Sequence, residues 1–176
     1  MISIRLAPLI PVSDKVVNEL VSPLTSIFQS EVSIEQSLRD LTEMSYDSSR
    51  AQYNSTSCIR ELLKVYPDST SKILGITSVD LFVPVLTYVF GEAQLDGTIA
   101  VMSTYRLDDA LYGMEADPII FFERVLKEAV HELGHTYGLI HCKNFECAMH
   151  SSTSVEDVDL KGAALCVECQ KKIGIL

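Results

Sequence analysis

The stretch His131-Glu132-Leu133-Gly134-His135-Thr136-Tyr137-Gly138-Leu139-Ile140-His141-Cys142 constrains this chain more than any other. It carries three of the four histidines at a spacing that one metal ion can gather. On a helix, residues four apart share a face, so the imidazoles of His131 and His135 can reach the same ion. Glu132 follows the first ligand by one residue, where its carboxylate can reach a water on the metal without binding the metal itself. Three residues past His135, Gly138 can adopt the left-handed conformation of a helix C-cap and turn the chain back. The turn returns His141 as a third ligand. A lone histidine on a helix is most often an ordinary surface or core residue. Three at this spacing, with the glutamate and glycine in place, point to a catalytic zinc.

The extended pattern H-E-x-x-H-x-x-G-x-x-H, with a methionine turn after it, is the metzincin signature. Cys142 follows the third histidine directly, and Cys147, Met149 and then Cys166-Val167-Glu168-Cys169 come after it. With those residues the chain resembles the archaemetzincins. The resemblance covers the signature and the cysteine tail to the last residue, and extends less specifically over residues 75–107. It implies a zinc-dependent peptidase with a second, structural zinc, and it places Met149 in an apolar turn beneath the histidines. Some metzincins add a tyrosine two residues after that methionine; here the position is Ser151, so no fifth ligand is assigned. His150 receives no ligand role either.

Cys142, Cys147, Cys166 and Cys169 form two close pairs of thiolates, which suits a closed tetrahedral structural zinc. Since His141 would bind one ion and Cys142 the other, the cysteine site fixes the segment that delivers the third histidine. Two zinc ions per chain are therefore expected, and the metal supplies much of the folding energy of a tail with little core of its own. Cys58 reads as a small buried residue of a helix.

Three neutral imidazoles leave the ion's charge unneutralised, so the pKa of a bound water falls toward about 7. Glu132 would take its proton, and pass it to the leaving amine of a peptide. Two other readings compete. A zinc-binding scaffold or interaction protein could carry an idle histidine site, but a mere metal holder has no use for a base at Glu132. A zinc deaminase needs H-x-E and a proline before its first cysteine; here His131 and Glu132 are adjacent and Leu165 precedes Cys166. No acidic cluster for a free amino terminus stands out, which leaves endopeptidase and aminopeptidase action both open.

At 176 residues and 47% hydrophobic, the chain can bury one substantial core and reads as a single catalytic domain. The expected division is an upper lobe, residues 1–141, with the active-site helix over about 118–138, and a small zinc-stapled lobe, residues 142–176. A net charge of -10 argues against nucleic acid and anionic membrane as partners and leaves a peptide or protein substrate. Arg5 interrupts the apolar run a signal peptide would need, and Asp80 and Pro84 interrupt the longest apolar region. A soluble cytoplasmic protein with reduced cysteines follows from this.

Alternation of Ile2, Ile4 and Leu6 with Ser3, Arg5 and Ala7 predicts a first strand. A helix to about Phe28, kinked at Pro23, and a strand at 32–34 follow it. A loop over 43–49 precedes a helix over about 52–65, and 72–82 forms a central strand. Strands over 86–94 and 98–103 form a hairpin about Asp96-Gly97. Asp117-Pro118 starts the long helix, with Ile119, Phe122, Leu126, Ala129, Val130 and Leu133 as its apolar stripe. Arg124, Lys127, Glu128, His131, Glu132 and His135 lie opposite as the floor of a cleft. The fold class is α/β to α+β, a metzincin-like twisted mixed sheet.

Overall fold

The alternating amino terminus forms β1 (Ile4–Pro8), with Ile4, Leu6 and Ala7 fully buried. The computed structural model describes residues 2–38, 43–67 and 69–176. After β1, α1 (Asp14–Phe28) runs continuously through Pro23 and leads into β2 (Val32–Ile34). β3 (Tyr46–Asp47), β4 (Gln52–Asn54) and α2 (Ser55–Val65) come next. β5 (Lys72–Thr77), β6 (Leu81–Phe82), β7 (Gly91–Ala93) and β8 (Ile99–Ser103) complete the strands. The long helix α3 (Pro118–Thr136) precedes two short helices, α4 (Val155–Leu160) and α5 (Val167–Lys172).

The main sheet has the order β2-β1-β5-β8-β7. The first four strands are parallel, and β7 pairs antiparallel with β8 at the edge, Gly91 opposite Met102. All six residues of β5 are buried, as expected of a strand covered on both faces. Ile4, Leu6, Leu74, Ile76, Ala100 and Met102 meet α1 and the Val125, Ala129, Val130 and Leu133 stripe of α3. On the other face Leu9, Ile73, Ile99 and Val101 pack with Cys58, Ile59 and Leu62 of α2. Cys147, Ala148, Met149, Val158, Leu165 and Cys169 from the tail join the same cluster as α3, so the tail's apolar residues extend the main core.

Several boundaries differ from the sequence expectation, each for a local reason. The helix expected from residue 52 starts at Ser55, because Gln52–Asn54 pairs with β3 and β6 instead. The strand expected over 72–82 breaks after Thr77. Arg106 and Gln52 both bond the Asp80 carboxylate there, and Leu81–Phe82 joins the small sheet. Of the strand expected over 86–94 only Gly91–Ala93 is regular, since side chains of Arg50 and Gln52 claim the carbonyls of Leu86 and Thr87. In the hairpin turn it is Asp96, at φ 53°, that takes the left-handed conformation, and its N–H donates to His135 O at 2.9 Å. The turn is thereby pinned to the end of α3.

Asp117 caps α3 as expected, its side chain accepting from the N–H groups of Ile119 and Ile120. The apolar stripe begins later than expected, since Ile119 is 71% exposed. The opposite, polar face is not an open floor along its length. Arg124, Lys127, Glu128, His131 and Glu132 are all buried, and Arg124 is held by Asp109 at 2.6 Å and by Asp159 of α4 at 2.7 and 2.8 Å. Because one cap serves the helix that carries the histidines, Asp117→Ala should cost about 1 kcal/mol in urea denaturation. An unchanged midpoint would mean the first turn is fixed by other contacts.

Candidate metal centres

The imidazoles of His131 and His135 project from the last two turns of α3, each held by a backbone carbonyl. His131 Nδ1 donates to Ala148 O at 2.8 Å, and His135 Nδ1 to Leu139 O at 2.7 Å. A carbonyl can only accept, so the proton of each neutral ring sits on Nδ1 and Nε2 is bare. The two Nε2 atoms lie 3.1 Å apart. Gly138, at φ 85°, ends the helix turn in the left-handed conformation, with its N–H bonded to His135 O and that of Leu139 to Gly134 O. His141 then comes round, its ring centroid 5.2 Å from His131 and 5.1 Å from His135. One nitrogen from each of the three lies within 4.8 Å of the others. Two nitrogens each about 2.0–2.1 Å from a tetrahedral ion stand roughly 3.3 Å apart, so this donor set fits zinc.

Burial lowers the proton affinity of all three imidazoles, most strongly at His131, and the charge of Lys161 adds to the effect at each. The rings are therefore neutral and ready to donate at neutral pH. Glu132 moves the other way: burial raises its pKa well above the carboxylate range, and Glu128 adds to the rise.

Two glycines shape this site by having no side chain. A Cβ on Gly134 would overlap the sulfur of Met149, which is fully buried directly beneath the helix. A Cβ on Gly91 would lie 2.6 Å from Glu132 Cγ and 2.6 Å from Val101 O, so the edge strand can approach the glutamate only as glycine. These two glycines and Lys161 are the residues of the site that sequence reasoning missed, whereas Glu128 stood on the expected polar face. Gly134 had a signal in its place between the two histidines of a packed helix. For Lys161, far along the chain, there was none.

The four expected cysteines also converge. Their sulfurs all lie within 4.8 Å of one another, with Cys142 and Cys166 at 3.8 Å and Cys147 and Cys169 at 3.8 Å. A disulfide needs about 2.05 Å, whereas sulfurs about 2.3 Å from one tetrahedral zinc stand roughly 3.8 Å apart. Burial pushes the Cys147 and Cys169 thiols up, a cost that a bound cation would reverse. The two centres share a segment: Cys142 N–H donates to Met149 O, and His150 Nδ1 to Cys142 O, at 2.9 Å each. His150 belongs to neither donor group, and Cys58 is buried apart from both, donating to Ser45 Oγ.

A cleft of about 630 Å³ opens above the histidines. Gly91, Glu92 and Ala93 of β7 form one wall, Glu128, His131, Glu132 and His135 the floor, and His141, Ser152 and Thr153 the opposite side. A mixed sheet whose edge strand runs beside a helix bearing H-E-x-x-H, with a third histidine returned by a glycine turn, defines a zinc-dependent metallopeptidase. The model of peptidase family M54 matches residues 14–174, and the chain belongs to that family, the archaemetzincins. The archaemetzincin of Methanocaldococcus jannaschii is 43% identical over 134 residues, 76% of this chain and 73% of the relative. The crystal structure of the Archaeoglobus fulgidus archaemetzincin, complexed with malonate, superposes with a TM-score of 0.84 at 40% identity, covering 97% of this chain and 99% of that one. A zinc-dependent peptidase from Methanocorpusculum labreanum superposes with a TM-score of 0.89 at 26% identity, covering 98% and 100%.

A Cβ on Gly134 would force the fully buried Met149 side chain to repack, so Gly134→Ala should destabilise the protein by about 1–3 kcal/mol. Thermal or urea denaturation reads this directly, and parent-like stability would show that Met149 does not brace the helix.

Proposed function

We propose that the cleft hydrolyses peptide bonds, with His131, His135 and His141 holding a zinc ion and Glu132 serving as general base and then general acid. The reading is carried by the two bare Nε2 atoms 3.1 Å apart, because lone pairs brought that close call for a cation between them. Zinc bound there supplies Lewis acidity, polarising a peptide carbonyl and acidifying water. The chain's own residues supply the rest. Glu132, fixed by α3 and backed against Gly91, takes a proton from water as its oxygen adds to the carbonyl carbon. It returns the proton to the nitrogen as the C–N bond breaks. Its carboxylate is buried beside Gly91, which shields it from bulk water between the two transfers.

The substrate is an extended peptide or protein segment. β7 pairs with β8 on one side only, and its residues line the cleft, so its other edge can take a peptide as an added strand. Cys142, Cys147, Cys166 and Cys169 hold a second, structural zinc, which makes two per chain. The chain works as one catalytic domain in which residues 142–176 deliver His141 and place Met149 under the helix. Five free cysteines suit a reducing cytoplasm, and no helix among the described residues is long and apolar enough to cross a membrane. The charge of -10 disfavours nucleic acid as a partner.

Glu132→Gln keeps size and hydrogen bonding but cannot take a proton. Zinc content and fold should persist, while cleavage of a mixed peptide library falls by about ten-thousand-fold, the upper end for loss of a general base. Parent-like cleavage by the fully metallated variant would contradict the mechanism.

A further inference from the structure

A buried cation is paired with a carboxylate that lines the cleft beside the three histidines. The side chain of Lys161 is 1% exposed, and its Nζ lies 2.7 Å from Oε1 of Glu128, itself 3% exposed. Nζ also donates to His150 O at 3.4 Å. Glu128 sits on α3 one turn before Glu132 and lines the cleft, whereas Lys161 comes from the loop after α4. That loop is fixed to the cysteine segment: Gly162 N–H donates to Glu146 O at 3.1 Å, and a Cβ on Gly162 would lie 2.6 Å from the same oxygen. The backbone that carries the lysine is thereby tied to the cysteine segment. Glu128 precedes His131 by three residues on α3 and lines the same cleft as His131, His135 and His141, so the ion pair sits against the histidine cluster. Two further carboxylates belong to the same surroundings, Glu132 and Glu92, the second bonded to Ser55 Oγ and Thr56 Oγ1.

A fixed ammonium beside three neutral imidazoles repels any cation they gather, and a buried carboxylate beside them attracts it. Low surrounding polarity makes both effects larger than they would be in water. We propose that Glu128 and Lys161 form an electrostatic positioning pair that sets how tightly the histidine site holds its metal, Lys161 loosening it and Glu128 tightening it. The inference rests on the reading that the three histidines bind zinc, and it adds two residues that touch neither the metal nor the bond to be cleaved. A pair that merely tied the tail to α3 would behave differently, since loss of either partner would loosen the site in the same direction.

The opposed signs are the test. Zn2+ affinity of the histidine site is measured by competition with a chromophoric chelator in protein that keeps its cysteine-site zinc, and Co2+ absorption reports the site's geometry. Glu128→Gln and Lys161→Gln each remove one charge and leave a polar side chain in place. Glu128→Gln should weaken Zn2+ binding by about tenfold or more, and Lys161→Gln should tighten it by about tenfold or more. Lys161→Arg should restore the parent's value. The double variant Glu128→Gln/Lys161→Gln, which carries no buried charge and guards against misfolding of a single variant, should fall between the two singles. Shifts in the same direction, or no shift, overturn the proposal alone. Failure of the parent and every variant to bind Zn2+ or Co2+ at the histidines overturns the zinc reading and this proposal together. Opposed shifts without any peptide hydrolysis would support the pair and contradict the proposed activity.

Discussion

Two neutral imidazole nitrogens 3.1 Å apart, lone pair toward lone pair, repel each other, and the surrounding structure holds them in that arrangement. Carbonyls of Ala148 and Leu139 fix the ring tautomers and orientations from behind. Both carbonyls belong to segments that follow α3, so the orientation of the helical histidines depends on chain that folds back over them. The Gly138 turn and the buried Met149 under Gly134 make that return possible. In turn α3 is held against the sheet by its Val125-to-Leu133 stripe, and against the tail by Arg124 between Asp109 and Asp159.

The tail is therefore part of the active centre's construction. Cys142 follows His141 in sequence, and its N–H bonds Met149 O, so one short segment connects the cysteine cluster, the methionine and the third histidine. Burial disfavours the thiolate form at Cys147 and Cys169, and a bound cation would offset that cost of ionisation and hold the four sulfurs together. From the same tail Lys161 reaches Glu128 of α3, and the next residue, Gly162, bonds Glu146. In the proposed reading, tail geometry acts on the histidine centre both by placing a donor and by placing a charge.

What the sequence made legible was chemistry with a fixed local period. The four-residue spacing of His131 and His135, the glycine stop at 138 and the Asp117-Pro118 start depend only on helix geometry, and the fold preserves all of them. Parallel strands buried on both faces, such as Lys72–Thr77, announce themselves by continuous apolarity. Contacts between distant residues carry no such period. Nothing local relates Glu128 to Lys161, and Gly91 looks like any strand glycine until Glu132 is set beside it. Residues 86–90 have strand-like composition, yet side chains of Arg50 and Gln52 take the carbonyls of Leu86 and Thr87. Tertiary competition of that kind overrides local propensity.

Metal analysis during graded chelation separates the two centres, each of which is proposed to bind one zinc through different donors. Four thiolates should hold their ion more tightly than three imidazoles with an open position. The two-centre arrangement predicts two zinc ions per chain and loss of the histidine-site ion first, with the cysteines still protected from alkylation after one equivalent has gone. A single zinc per chain with all four tail cysteines alkylatable in the native protein, or loss of both ions together, would contradict it.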